Sequence, residues 1–201
     1  GARLPGIGRV ETETVSDRDM ERLGLLRTPT DALALVEMPR YDLPRNPGGD
    51  ALALLLDDVQ DPGNLGTIVR LADWFGIRDV FCSPASADCF NPKVVQATMG
   101  AVLRVRVHYT DPVALLRRAA AGGVPVYGTF LDGEDIYAAE LSATGILVMG
   151  NEGNGIGPDV AEQIARRLYI PPFPAAVPTS ESLNVAVATA VAVAEFRRRL
   201  H

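Results

Sequence analysis

Residues 51–75 read ALALLLDDVQDPGNLGTIVRLADWF, and this stretch decides the fold. The continuously apolar segment at 51–56 predicts a strand that is covered on both faces, as strands are in a parallel sheet. Two acids and a Pro-Gly turn end that strand, and a helical segment is expected over 65–75. A buried strand, a short loop and a helix form the unit from which α/β domains are built.

Short strands and helical segments alternate along the rest of the chain in the same way. Apolar patterning predicts strands at 51–56, 79–82, 103–108, 124–129, 145–149 and 167–170. Helical segments are expected at 65–75, 92–100, 112–121, 158–166 and 184–199. The sequence therefore predicts an α/β fold with a mostly parallel sheet flanked by helices.

The first 28 residues have a different composition. They are polar and mixed in charge, with one modest helical stretch at 17–26 that begins after Ser16. We expect residues 1–28 to be an N-terminal extension or linker, and the α/β domain to span 29–201.

The net charge limits how the chain can meet a partner. The 201 residues carry a formal charge of −6, from 19 Lys and Arg against 25 Asp and Glu. That balance disfavours binding of polyanions through the overall field of the molecule. Arginines cluster at 117–118, 166–167 and 197–199, and a polyanion could bind to local positive patches formed by these clusters. No apolar run approaches the ~20 residues that a membrane-spanning helix needs.

Cysteine and histidine usage excludes further chemistry. The chain has two cysteines and two histidines, in no CxxC, HExxH or other metal-ligand spacing, so the sequence predicts no metal site. His108 lies in the alternating run 104–108 and is interpreted as an exposed strand histidine. Two buried thiols, Cys82 and Cys89, in a chain without an export signal favour a reducing cytoplasm.

Three unusual segments follow predicted strands, where open α/β sheets bind ligands. In the first, LDDVQDPGNLGTIVR at 56–70, Asn64 could cap the helix that begins there. Arg70 lies six residues further on, close enough to serve the same ligand. Its spacing alone favours a solvated or salt-bridged surface arginine.

The second segment, LVMGNEGNGIGP at 147–158, is a glycine-rich loop after an apolar strand. Its glycines allow close approach of the backbone to a ligand, although such a loop is often only a tight connection. Glu152 is unusual there, because a connection needs no carboxylate. The third segment runs from YIPPF at 169–173 to TSESLNV at 179–185, where Ser182 is a candidate helix N-cap.

Together, these segments closely resemble the SpoU, or TrmH-like, branch of the SPOUT superfamily of RNA methyltransferases. The matching stretches are DPGNLGTIVRLADWFGI at 61–77, NPKVVQATMGAVLRV at 91–105, MGNEGNGIG at 149–157, IPPF at 170–173 and SESLNVAVATAVAVAEF at 180–196. The resemblance covers about residues 28–199. One departure is the loop between Ile170 and Leu183, which is longer than in many relatives.

The resemblance implies an S-adenosylmethionine-dependent enzyme that methylates a ribose 2′-hydroxyl in tRNA or rRNA. It also implies a deep trefoil knot at the carboxyl end, a feature that general rules of chain topology would not predict. A cytoplasmic homodimer without metal is expected, and residues 1–28 would be the tail of a preceding RNA-binding domain. Cofactor-binding positions carried over from the family are Gly150, Ile170 and Leu183, with Thr129 and Gly153 as additions.

Five motif residues carry over as catalytic positions: Asn64, Arg70, Glu152, Ser182 and Asn184. Arg70 matches the arginine that the family is proposed to use in catalysis. Because a free guanidinium has a pKa above ~12, we expect Arg70 to orient the target phosphate and hydroxyl rather than act as a simple base. Asn64 is expected to position Arg70 or the RNA, and Glu152 to organise the glycine loop. Ser182 and Asn184 would order the third loop.

Two other function classes stay open beside this interpretation. A catalytically silent module that binds the cofactor or RNA is disfavoured, because it has little need for Asn64, Arg70 and Glu152 together. A nucleotide-dependent oxidoreductase is disfavoured because G-x-G-x-x-G does not follow the first strand.

Overall fold

The computed structural model describes residues 3–4, 8–9, 11–24, 30–174 and 182–200. The chain divides into two compact units, Gly1–Pro39 and Arg40–His201. In the first unit, strands β1 (Arg3–Leu4) and β2 (Gly8–Arg9) pair antiparallel, and helix α1 spans Asp17–Leu23. The helix begins after Ser16, as expected, but ends before the predicted limit at residue 26.

The second unit is built on a six-stranded sheet in which every neighbouring pair is parallel. The strand order is β5-β4-β3-β7-β6-β8. The strands are β3 (Leu52–Leu56), β4 (Asp79–Cys82), β5 (Arg106–Tyr109), β6 (Val126–Asp135), β7 (Gly145–Met149) and β8 (Arg166–Tyr169). The predicted α/β fold with a parallel sheet is confirmed.

Helices cover both faces of this sheet. They are α2 (Pro62–Trp74), α3 (Pro92–Ala97), α4 (Pro112–Ala121), α5 (Pro158–Ala161) and α6 (Val185–Arg198). Side chains of α2, α3 and α6 share one hydrophobic cluster, and those of α4 and α5 share the other. Strand β3 alternates between the clusters, with Leu54 in the first and Leu55 in the second, because successive side chains of a strand point to opposite faces. No helix in the described part of the chain is long and apolar enough to cross a bilayer.

Several element limits differ from the sequence prediction. Strand β5 begins at Arg106 rather than 103, because Ala101–Leu103 form a 3-10 turn that follows Gly100 in a left-handed conformation. Helix α5 ends at Ala161 rather than 166, because Arg166 already pairs with Tyr127 of β6. Strand β6 continues to Asp135 after a bulge, where Thr129 and Glu134 both face Leu168 of β8.

The interpretation of His108 as an exposed strand histidine is wrong. Its side chain is only 3% exposed, and its ring stacks on Phe81 with the centroids 5.2 Å apart. His108 Nε2 lies 2.9 Å from Oδ1 of Asp79, the carboxylate that also pairs with Arg106. The two cysteines are buried and unbridged, in agreement with the prediction.

The sheet topology places a crevice between β3 and β7. From β3 the chain moves outward through β4 to β5, whereas from β7 it moves the other way, past β6 to β8. The carboxyl ends of these two adjacent strands therefore form a topological switch point, the place where open α/β sheets bind ligands. The path of residues 175–181 lies outside the described residues, so the trefoil knot stays a prediction.

Candidate active site at the carboxyl edge of the sheet

Asn64 lies in the first turn of α2, but it does not cap that helix. The N-cap is Asp61, whose Oδ1 accepts a hydrogen bond of 2.8 Å from the backbone N–H of Asn64. The side chain of Asn64 instead turns across the crevice. Its Nδ2 donates to Oε1 of Glu152, and its Oδ1 accepts from Nδ2 of Asn184 at 3.0 Å. Three of the five predicted catalytic residues therefore meet, although they come from three separate segments.

Asn184, rather than Ser182, is the N-cap of α6. Its Oδ1 accepts hydrogen bonds from the backbone N–H groups of Ala186 (3.0 Å) and Val187 (3.3 Å). Asn184 thus accepts from the helix and donates to Asn64, which in turn donates to Glu152. Because a helix N-terminus carries partial positive charge, this relay is polarised toward the carboxylate. We refer to Asn184, Asn64 and Glu152 as the amide relay.

The glycine-rich loop after β7 closes on itself. Asn151 and Gly155 exchange two backbone hydrogen bonds of 2.9 Å, and Oδ1 of Asn151 accepts from the N–H groups of Gly153 and Asn154. A Cβ on Gly150 would lie 2.2 Å from the carbonyl carbon of Gly155, so no other residue fits there. Gly155 has a φ of +68°, a conformation that glycine adopts without strain. The closed loop holds Glu152 within reach of Asn64.

Arg70 and Ser182 stand apart from the amide relay. Arg70 is exposed on α2 and forms no ion pair with any residue that the structure describes. Ser182 is exposed at the first described position after residue 174. An arginine side chain that is open to solvent can bind an anionic group that comes from outside the chain.

The predicted cofactor positions follow neighbouring strands. Thr129 lies in β6, and its Oγ1 donates to Sδ of Met149 at 3.7 Å. Gly150 is buried directly after β7, and half-buried Ile170 follows β8 and packs against the first core cluster. Gly153 and Leu183 are exposed. A bare glycine backbone beside apolar side chains suits an adenosine group, so these residues fit the expected cofactor.

Two residues that hold this edge together were not singled out from the sequence. Asp57 is buried after β3, and its Oδ2 accepts a hydrogen bond of 2.8 Å from the backbone N–H of Gly157. Asn151 donates from Nδ2 to the carbonyl oxygen of Asp58 at 2.8 Å. For Asp57, the local sequence shows only a pair of acids directly after an apolar strand, and many strands without a functional role end in the same way.

The arginine clusters that could form positive patches are largely engaged with acceptors. Arg167 pairs with Asp132 at 2.5 Å and stacks on the ring of Phe130. Arg198 and Arg199 both pair with Glu195. Any positive patch from these clusters is therefore weaker than a count of arginines indicates.

Comparison with known proteins identifies the family. Residues 51–194 match the SpoU rRNA Methylase family. The chain belongs to this family. It is 36% identical over 171 residues to the Bacillus subtilis protein named 23S rRNA (guanosine(2553)-2′-O)-methyltransferase RlmP, with 85% of this chain and 66% of that protein covered.

Solved SpoU-like structures superpose closely on this one. A TrmH-family protein from Porphyromonas gingivalis has 47% identity and a TM-score of 0.84, over 93% of this chain and 74% of that chain. An AdoMet-bound rRNA methyltransferase from Sinorhizobium meliloti has 32% identity and a TM-score of 0.72, over 81% of this chain and 62% of that chain. The chain spans about two thirds of the length of the Bacillus subtilis relative.

Proposed function

We propose that this SpoU-family chain transfers a methyl group from S-adenosylmethionine to a ribose 2′-hydroxyl of rRNA or tRNA. The observation that carries the proposal is the amide relay, which joins Asn64, Glu152 and Asn184 in the crevice between β3 and β7. The relatives support the substrate class, since the Bacillus subtilis protein is named for 2′-O-methylation of 23S rRNA. The Sinorhizobium meliloti structure, which holds AdoMet, supports the cofactor.

The residues that would hold the cofactor are Thr129, Gly150, Gly153, Ile170 and Leu183. S-adenosylmethionine, when bound, supplies a methyl group activated by a positively charged sulfur. Gly150 brings backbone groups to the end of β7, while half-buried Ile170 adds an apolar side chain after β8. The chain's contribution to rate is alignment, because holding two reactants in line removes much of the entropic barrier.

Arg70 orients the RNA in this proposal. Its guanidinium presents a planar fork of donors that matches a phosphate. A phosphate held there would position the neighbouring ribose, and the hydroxyl proton would leave toward that phosphate rather than to a neutral guanidine. Asn64, held from both sides by Glu152 and Asn184, keeps a fixed amide orientation beside the RNA. Ser182 and Asn184 would order the third loop.

The proposed assembly is a cytoplasmic homodimer. Trp74, Met99 and Leu103 are 83%, 70% and 63% exposed, and they lie on α2 and on the segment that packs against it. Large apolar side chains exposed together are typical of protein interfaces. Residues 1–28 would be an extension before a methyltransferase domain at 29–201. Sedimentation velocity tests the dimer, and Trp74→Glu should shift the wild-type dimer to a monomer.

The activity is tested with labelled S-adenosylmethionine and unmodified rRNA and tRNA. The expected product is a 2′-O-methylated nucleoside, which leaves an adjacent linkage resistant to alkali. Methylated bases with no alkali-resistant linkage would contradict the proposal. Cofactor binding in calorimetry without any transfer would instead favour the silent binding module.

A further inference from the structure

Two hydrogen bonds clasp the loop after β3 to the glycine-rich loop after β7. One runs from the backbone N–H of Gly157 to Oδ2 of Asp57, and the other from Nδ2 of Asn151 to the carbonyl oxygen of Asp58, each 2.8 Å long. They hold the glycine-rich loop at both ends, because Asn151 is near its start and Gly157 is at its end. Their partners in the loop after β3, Asp57 and Asp58, are consecutive residues.

Asp57 is suited to act as the anchor of this clasp. It is 8% exposed, and its own N–H donates to the carbonyl of Met149 at 2.8 Å, so its backbone continues the pairing of β3 with β7. Gly157 is the N-cap of α5 and has no side chain that could cap the helix. The Asp57 carboxylate, 100 residues away in the sequence, accepts the backbone N–H of Gly157 itself and so holds the residue from which α5 begins.

The backbone of Asp58 is held in an unusual conformation that serves the second hydrogen bond. Its φ is +59°, in the left-handed region that non-glycine residues seldom adopt. The N–H of Asp58 donates to Oγ of Ser83 at 2.8 Å, while its carbonyl accepts from Asn151. Strained backbone of this kind persists where the surrounding contacts over-determine it.

We propose that Asp57 is a positioning residue for the cofactor loop. By holding Gly157, Asp57 fixes the glycine-rich loop that begins at Asn151, and with it the backbone around Gly150 beside which the cofactor would bind. Asp57 acts through the glycine loop and does not itself touch the reacting groups. The inference rests on the proposed function for its link to S-adenosylmethionine, whereas the clasp itself is a property of the fold.

The test compares Asp57→Ala with Asp57→Asn and a matched control. Asp111→Ala is the control, because Asp111 is likewise an aspartate that accepts backbone N–H groups at the start of a helix, those of Val113 and Ala114 in α4. Both alanine variants lose a carboxylate that accepts backbone N–H groups at the start of a helix. Only Asp57→Ala should raise the Kd and KM for S-adenosylmethionine about tenfold, with kcat at saturating cofactor within about threefold of wild type. Asp57→Asn keeps a side-chain oxygen and should recover most of the affinity.

Hydrogen exchange provides a readout that does not depend on activity. Amides of residues 150–157 should exchange about tenfold faster in Asp57→Ala and near the wild-type rate in Asp111→Ala. Asn151→Asp removes the donor to Asp58, should act in the same direction, and serves as the alternative if Asp57→Ala does not fold.

Each remaining outcome decides one of the two proposals. Unchanged exchange and affinity in Asp57→Ala, equal changes in Asp111→Ala, or no recovery in Asp57→Asn would overturn the positioning role. A wild-type chain that binds no S-adenosylmethionine would contradict the proposed function. The exchange rates of residues 150–157 would still show whether Asp57 holds the glycine-rich loop.

Discussion

The two edges of the sheet use polar side chains in different ways. At the carboxyl edge, the amide relay joins neutral amides to one carboxylate, and further along α2 Arg70 is exposed without an ion-pair partner among the described residues. At the amino edge, charges are matched: Asp79 pairs with Arg106 and His108, and Asp73 pairs with Arg104.

A cavity of about 250 Å³ also lies at the amino ends of β6 and β8, away from the relay, and is lined by Pro125, Tyr127, Glu140, Leu141, Ser142 and Arg166.

Helix α6 connects the two edges. Its first turn is capped by Asn184 of the relay, and near its other end Arg197 donates to the carbonyl of Phe75. Glu195, 5% exposed, pairs with Arg198 and Arg199. Arg199 also donates to backbone carbonyls of the segment after β6, at Ile136, Tyr137 and Ala139. The difference teaches that the matched charges at the amino edge stabilise the fold, whereas the polar groups of the relay lie at the edge where open α/β sheets bind ligands.

Replacement of Arg70 should give the largest effect and separate function from stability. We expect Arg70→Ala to lower methyl transfer about a hundredfold to a thousandfold, because a charge contact to the reacting centre is lost. Cofactor affinity and the urea midpoint should not change. Steady-state transfer assays and calorimetry measure this, with Arg78→Ala, an exposed arginine just before β4, as the control. Undiminished turnover in Arg70→Ala would refute its role.

Replacement of Glu195 should give the opposite result. Glu195→Ala leaves Arg199 without its carboxylate partner in a half-buried site, so the free energy of unfolding should fall by about 3 kcal/mol. The kcat of the folded fraction should stay close to wild type. Urea unfolding and transfer assays at low temperature check both values. A large loss of kcat with intact stability would remove the distinction between the two edges.

The amide relay should behave as one unit. Asn64→Ala and Asn184→Ala should each lower transfer by about 10- to 100-fold, since each leaves hydrogen-bonding groups at the site unpaired. Asn184→Ala should also lose about 1 kcal/mol of stability because it removes the cap of α6. In a double-mutant cycle, the double variant should be little worse than either single one. Additive losses would show that the two asparagines act independently.

Acid should weaken the ion pairs that Glu195 makes at the amino edge. Hydrogen bonding from Arg198, against the opposing effect of burial and with the help of Arg199, lowers the pKa of Glu195 to about 2. Because this folded-state pKa lies below the ordinary value near 4.5, the ion pairs stabilise fully above that pH, and their contribution is lost as the pH falls toward 2. The stability difference between wild type and Glu195→Gln should shrink by on the order of 2 kcal/mol from pH 6 to pH 2.5, allowing for solvent around Arg198.

Urea unfolding at a series of pH values measures that difference. Asp79 contributes in the same direction: burial opposes its ionisation, but hydrogen bonds from His108 and Arg106 outweigh burial and lower its pKa. This contribution is common to both proteins and cancels. A constant difference across the pH range would show that Glu195 titrates normally.

The smallest effect is expected at the ion pair between Arg104 and Asp73. The Arg104 side chain is 59% exposed, so solvent screens the attraction and both side chains lose freedom on pairing. Arg104→Ala should leave the urea midpoint and methyl transfer unchanged within error. A clear loss of stability would show that the pair does more than its exposure indicates.

Elements with strong local patterns could be predicted from the sequence. Strands β4 and β7 and helix α4 have the predicted limits, because apolar runs and an Asp-Pro start define them locally. His108 was misjudged because alternation along a strand does not reveal what covers each face. Asn64 and Ser182 were plausible caps from spacing, but Asp61 and Asn184 provide better-placed acceptors.

The sequence by itself determined the α/β class, the SpoU family and the residues that gather at the carboxyl edge. Hydrophobic periodicity and sequence motifs are local properties, so they can be recognised in the sequence alone. Only the tertiary structure decided that Asn64 joins Glu152 to Asn184, and that Asp57 accepts the backbone N–H of Gly157. Such contacts join residues about 90 to 120 positions apart, and they depend on β7 inserting beside β3. A hydrogen bond requires two groups to meet within about 3 Å, and strand order, which no single segment encodes, sets that distance.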